Sequence, residues 1–388
     1  MTLLSSLSPR SLAAPESGIV EVVNYARGRD GLIPLWVGEG DLPTPDFISR
    51  AAQQSLGNGE TFYTWQRGIP PLRDALSRYY QRHFDKALSP ENFYVTGSGM
   101  QAIKLAVEAV ASPGDDIVFL SPAWPNFAAS AELSGVRAIP APLTFSGGKW
   151  QFEPADFERA ITGKTRALFV NTPSNPTGWT ATHDDLRAML DLARRHGLWI
   201  VADEIYARYY YLGERAPSFL DIMEEGDRIL FVNSFSKNWS MTGWRAGWIV
   251  APPAIGQVLE NLIQYSTSGV AQFIQAGAVA ALDEGDAFVG ENIAKATLSR
   301  DLFCDALIAT NRVETLKPDG ALYAFLKIDG VSDVRAAALD IVDKTGVGLA
   351  PGTAFGAGGS PFMRACFLRD PGRIAIAAER LAGYIAAL

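Results

Sequence analysis

Between residues 92 and 250 the chain alternates short apolar runs with amphipathic segments, and few folds accept that pattern. Apolar runs at 93–96, 117–120, 136–139, 167–170, 198–202, 229–232 and 244–250 are too short for helices and nearly unbroken, as strands buried on both faces are. Between them, 100–111, 126–133 and 184–196 read as helices, the last stopped by Gly197. Strands alternating with helices imply a mostly parallel seven-stranded sheet covered on both sides, an α/β class fold. Ligands of such sheets bind beyond the carboxyl ends of the strands. The polar residues there are Ser98, Asn171, Asn175, Asp203 and Lys237, which would gather at one edge.

After Pro252 the pattern changes to helices at 255–265, 270–283 and 287–309. Strands at 320–328, 348–350 and 362–368, a helix at 334–344 and a terminal helix from Gly372 follow. A large domain over 46–285 is expected, with a smaller α+β domain formed by 286–388 and the N-terminal segment 1–45. A net charge of −8 and no basic stripe argue against a nucleic-acid partner. No stretch has the apolar length of a membrane span, and no leader peptide is read. Cys304 and Cys366 match no metal or redox spacing and read as reduced core thiols of a cytoplasmic protein. His83, His183 and His196 read as separate surface residues, so no metal site is expected.

Several short stretches carry chemistry. In Asn233-Ser234-Phe235-Ser236-Lys237, followed by Gly243-Trp244-Arg245, a lysine sits on a loop between two buried strands. A lone lysine is usually exposed, but burial or a nearby cation turns an amine into a nucleophile toward carbonyls. The serines and the arginine fork are the donors a phosphate needs. Gly97-Ser98-Gly99-Met100-Gln101-Ala102 follows a strand and opens a helix, so it fits a dinucleotide fingerprint. The acid that fingerprint requires after the next strand is missing, however. What remains is a helix N-terminus suited to a phosphate, or a tight turn. Asp203, before Glu204-Ile205-Tyr206, ends a very apolar strand, where an acid needs a cation, a donor or a helix to cap. Trp124 offers a flat face for a ring or packs in the core. Arg364, among apolar neighbours, needs a carboxylate from protein or ligand.

Taken together, Asn175-Pro176-Thr177-Gly178, Asp203-Glu204-Ile205-Tyr206 and Ser234-x-Ser236-Lys237 with Gly243-Trp244-Arg245 resemble the class I/II aminotransferases of pyridoxal-phosphate fold type I, the aspartate aminotransferase superfamily. The resemblance runs from Gly38 to Arg364 in order and spacing. It implies the fold type I architecture and an enzyme that moves the amino group of an L-amino acid to a 2-oxo acid, with pyridoxal 5′-phosphate as cofactor. Lys237 would carry the cofactor as a Schiff base and shuttle the proton, and Asp203 would pair with the ring nitrogen. Tyr206 and Asn175 would bond the ring oxygen, and Trp124 would stack on the ring. Ser98, Gly99 and Met100 (through its backbone), with Ser234, Ser236 and Arg245, would bind the phosphate. Tyr63 would reach the phosphate of a neighbouring subunit in a homodimer. Arg364 would clamp the substrate carboxylate, with the Gly38 amide nearby and Trp124 and Asn175 also touching substrate.

Three alternatives stand beside this reading. A β-lyase of the C–S type would keep every cofactor residue. A regulator would sense an effector with the same fold and carry a fused DNA-binding segment, for which the N-terminal stretch leaves no room. An NAD-dependent dehydrogenase lacks its ribose acid. The substrate is not named by these residues. Arg67 could read a distal carboxylate or be structural, and Tyr63, Trp65 and Trp124 equally suit a large apolar side chain.

Overall fold

The computed structural model describes residues 3–388; the first two residues of the N-terminal arm lie outside the described residues. Its centre is a sheet of seven strands: β1 Phe93–Thr96, β2 Asp116–Ser121, β3 Arg137–Pro142, β4 Thr165–Asn171, β5 Trp199–Asp203, β6 Ile229–Ser234 and β7 Gly247–Val250. They lie in the order β1-β7-β6-β5-β4-β2-β3. β3, β2, β4, β5 and β6 are mutually parallel, and β7 alone runs against its neighbours β6 and β1.

Both faces of this sheet are covered, which is why its strands lack polar alternation. Val118, Leu168, Val170, Ile200 and Phe231 point into one core with Ile48, Leu72 and Leu186 of flanking helices. Their chain neighbours Ile117, Ala167, Phe169, Val201 and Leu230 point into a second core with Ala102, Phe127 and Leu259. Two boundaries differ from the sequence reading. β3 runs on to Pro142 instead of ending at 139, because an edge strand accepts prolines that lack an N–H. β7 begins at Gly247 instead of 244, because Arg245 sits in the left-handed region at φ 55° and cannot extend a strand.

A second, antiparallel sheet contains β8 Val313–Thr315, β9 Tyr323–Ile328, β10 Ala350–Pro351 and β11 Met363–Cys366, in the order β8-β9-β11-β10. β8 was not read from the sequence, nor were the hairpin Thr144–Ser146/Lys149–Gln151 and the helix Pro154–Ala160. Ile33–Pro34 pairs in parallel with Val347–Gly348, so the N-terminal segment is stitched to the C-terminal part of the chain.

Cys304 and Cys366 are buried and form no disulfide. His183 is exposed, but His83 is not the surface residue the sequence suggested: its ring packs on Tyr79 and its Nε2 lies 2.8 Å from Asp286 Oδ1. Burial, with the charge of Arg208, pushes its pKa down to about 4 despite the aspartate. Among the described residues no helix is long and apolar enough to cross a membrane.

Candidate active site

β4 and β5 end side by side, with Asn171 paired to Asp203 across the ladder. The Asn171 carboxamide donates to the Asp203 carbonyl (3.2 Å) and accepts from the Asn175 amide (2.8 Å), fastening the Asn-Pro loop to the strand ends. The Asp203 carboxyl is buried, and among the described residues the Ile205 amide at 3.3 Å is its one hydrogen-bond donor. Burial pushes its pKa up to about 7, against the pull of that amide and the Lys237 charge. A buried carboxyl so poorly supplied calls for a cationic N–H.

Lys237 follows β6 and faces the same space. Its Nζ donates to the Gly38 carbonyl at 2.6 Å. Although its side chain opens onto the cavity, the protein around it is dense, and burial first, aided by the Arg364 and Arg245 charges, lowers its pKa to about 8. Such an amine is free for attack on a carbonyl in a useful fraction near neutral pH. Gly38 has to be glycine here, because a Cβ would stand 2.2 Å from the Tyr323 hydroxyl.

Two serines and a helix end build a cradle beside the lysine. Ser234 Oγ donates to Ser236 Oγ (2.8 Å), and the backbone turns so that the Ser236 amide donates back to Ser234 Oγ (3.1 Å). The helix Gly99–Val110 begins against this turn, capped by Ser98, whose Oγ accepts from the Gln101 amide at 2.9 Å. A Cβ on Gly247 would sit 2.7 Å from both the Gly99 nitrogen and the Asn233 oxygen, so only glycine allows the helix end to seat so closely. Arg245, fixed by donation to the Thr242 carbonyl at 2.6 Å, lies on the same side. Helix amides, hydroxyls and a guanidinium are the kinds of donor an anion needs.

Arg364, on β11, is buried. It donates to Asn175 Oδ1 (2.9 Å) and to the Trp36 carbonyl, and lies over the Tyr323 ring at 4.6 Å. Its Nε is buried with no partner among the described residues, an orphan donor pointing to a missing acceptor. Tyr206 and Tyr323 share a hydroxyl–hydroxyl bond of 2.7 Å, and burial raises the pKa of both.

One cavity of about 550 Å³ gathers Gly38, Gly99, Met100, Trp124, Asn175, Asp203, Tyr206, Ser234, Ser236, Lys237, Arg245 and Arg364. Two sequence candidates stand apart. Ser98 is buried beside the cavity with its oxygen committed to the helix cap, and Tyr63 is 93% exposed. Arg67 is held by Glu260 (2.6 Å) and Glu91 (2.8 Å) and is not part of the lining. The sequence reading missed Tyr323, Trp36, Glu39, Thr242 and the helix residues Ile19, Val20 and Val23, which also line the cavity. Of these, only Tyr323 carried a local hint, a phenol in an otherwise apolar strand, and core tyrosines look the same.

The donor set fits pyridoxal phosphate: an amine of lowered pKa, a buried carboxyl short of a cation, a cradle of hydroxyl, helix-end amide and guanidinium donors, and a buried arginine beside them. The family model "Aminotransferase class I and II" matches residues 31–381. The chain is 34% identical over 354 residues to an aspartate aminotransferase of Musicola paradisiaca, covering 90% of this chain and 88% of the relative. It is 29% identical over 380 residues to an aromatic-amino-acid aminotransferase of Thermococcus litoralis, covering 97% of each. A single mutant of the Thermus thermophilus aspartate aminotransferase superposes with a TM-score of 0.90 at 30% identity, covering 97% of this chain and 99% of that one.

Proposed function

The chain belongs to the class I and II aminotransferases, and on that premise we propose how its own residues carry the reaction. The activity is pyridoxal-phosphate-dependent transfer of an amino group: an amino acid and a 2-oxo acid become a new 2-oxo acid and a new amino acid. The lyase alternative is not favoured, since the matched relatives carry aminotransferase names. The dinucleotide reading of Gly97–Ala102 falls with the same finding.

When bound, pyridoxal phosphate supplies an aldehyde that takes up the amine and a protonated ring that draws electrons from the substrate Cα. Lys237 would hold the cofactor covalently, and its Nζ would take the proton from the substrate Cα and, in the reverse half-reaction, return one to the Cα of the new amino acid. Asp203 holds the ring N–H and keeps that nitrogen charged. Tyr206 and Asn175 orient the ring oxygen, and Trp124 covers the ring face. Gly99, Met100 through its amide, Ser234, Ser236 and Arg245 would hold the phosphate, while Ser98 caps the helix that presents the first two. Arg364 would pair with the α-carboxylate beside Gly38. In the same reading the enzyme is a cytoplasmic homodimer, with Tyr63 reaching the partner's phosphate. Its large unit is 46–285, and its smaller unit joins 286–388 to 1–45.

One observation carries these assignments: an amine of lowered pKa and a buried carboxyl short of a cation face the same cavity. The test is Lys237→Ala. Transamination should fall by about a thousand-fold or more, as expected when a general base and anchor are lost together. Borohydride should then fix no cofactor to the chain. Activity near the wild-type level in that variant would overturn the assignment.

A further inference from the structure

We propose that this site takes an amino acid with an apolar side chain, aliphatic or aromatic, in preference to aspartate or glutamate, and that the helix Gly18–Ala26 reads that side chain. The inference rests on the function proposed above and names the substrate class of that same site.

The helix carries two apolar stripes. Val22 and Ala26, one turn apart, are buried in the main core. Ile19, Val20 and Val23 instead line the cavity, and Val20 stays 50% exposed. Val37, also in the lining, is 37% exposed. Core packing covers the first stripe fully and Ile19 and Val23 only in part, which leaves the second stripe half-exposed at the mouth of a pocket, with Val20 outermost. From the other side Met100 and Ile103 close the same space without a charge.

The cations of the lining decide what such a wall can accept. Among the described residues they are Lys237, Arg245 and Arg364. Each is committed to something common to every amino acid substrate: the reacting amine, the cofactor phosphate and the α-carboxylate. Arg67, the other arginine that could have read a distal carboxylate, is tied to Glu260 and Glu91 outside the lining. Ser17 and Asn126 add only neutral polar atoms. The remaining charge in the lining besides Asp203 is Glu39, whose carboxylate accepts from Thr242 Oγ1 at 3.0 Å. A second carboxylate on the substrate would therefore lose water against valines and isoleucines, meet Glu39, and find no counter-charge. A leucine or phenylalanine side chain would cover the exposed stripe instead.

The holoenzyme is mixed separately with leucine, phenylalanine, aspartate and glutamate, and the cofactor absorbance is followed through one half-reaction. Leucine or phenylalanine should show a kcat/KM about 100-fold above either acidic amino acid, the scale set by an unpaired buried charge. In binding, 3-phenylpropanoate should displace substrate at lower concentration than succinate. Val20→Lys should narrow the leucine-to-aspartate ratio at least about tenfold by raising the rate with aspartate. Aspartate or glutamate reacting fastest in the natural chain would overturn the proposal, whichever subunit supplies the counter-charge, while leaving the aminotransferase reading intact. A ratio unmoved by Val20→Lys would remove the helix from the reading. Absorbance unchanged by all four amino acids would overturn the function itself, and this inference with it.

Discussion

Asp203 and Lys237 are each held in the ionisation state their solitary burial disfavours least, and the pH dependence of stability should expose both. The Asp203 carboxyl is raised from 3.8 to about 7. Between those values the unfolded chain has lost the proton and the folded one keeps it, so stability falls as pH rises through the window, and the whole penalty is present above 7. Lys237 is lowered from 10.5 to about 8. Here the folded chain has lost the proton first, so stability rises with pH between 8 and 10.5 and the full penalty lies below 8. At pH 8 the cofactor-free protein therefore carries an ionised, cation-poor carboxyl in its interior. Asp203→Asn should stabilise that form by about 2–4 kcal/mol at pH 8 and by close to nothing at pH 4. Thermal melts at the two pH values check this, and the same variant should bind pyridoxal phosphate more weakly. A variant destabilised equally at both would show that the carboxyl is satisfied by the protein alone.

The elements that were legible in the sequence are those whose burial is decided locally. Seven apolar runs could only be strands covered on both sides, and the polar residues beyond four of them (Ser98, Asn171, Asn175, Asp203 and Lys237) named an edge where ligands collect. Lys237, Asp203 and Asn175 do meet there, as does Arg364, whose apolar flanks marked it. The hairpin Thr144–Ser146/Lys149–Gln151 was not legible from periodicity, because it is mostly exposed and only Trp150 is buried. Its signal was Gly147-Gly148, both at positive φ (59° and 76°), the glycine pair of a tight hairpin turn. Gly18–Ala26 turns one apolar stripe to the core and another to the cavity, and which stripe meets the core is settled by elements more than 300 residues away in sequence, such as the one supplying Arg335 to Glu21. Close approach between elements is equally invisible in one dimension, and Gly247 is the sharpest case. Everything a Cβ there would strike is backbone: Asn233, Gly99 and Ser98 at 2.7–2.8 Å. Gly247→Ala should push the start of Gly99–Val110 off β6, costing about 1–3 kcal/mol. Affinity for pyridoxal phosphate should fall about tenfold while affinity for pyridoxal, which lacks the phosphate, changes much less. Titrations of both compounds check this, and equal losses would move the phosphate away from the helix end.

At the scale of the molecule, the loop around Tyr63 is firmly built and yet turns its aromatic rings outward. Thr64 Oγ1 donates to the Val270 carbonyl at 2.8 Å, and the Arg73 guanidinium lies 4.8 Å from the centre of the Trp65 ring. Phe62 is nevertheless 82% exposed, Tyr63 93% and Tyr265 88%. Rigid, exposed aromatics on two adjoining segments are what an interface between subunits requires. In a homodimer this patch would be covered, and Tyr63 of one subunit would serve the other. A two-fold interface makes that claim testable by complementation. Lys237→Ala homodimers should be inactive, and Tyr63→Ala homodimers should retain the cofactor poorly. In a hybrid of the two variants, one site would lack both side chains and the other would have both, the lysine from one subunit and the tyrosine from its partner. Unfolding and reassembling an equal mixture should then restore roughly one-quarter of wild-type activity at low cofactor concentration, assuming random pairing. If Tyr63 acts within its own subunit, no hybrid contains an intact site, and the mixture stays at the mean of its two parents.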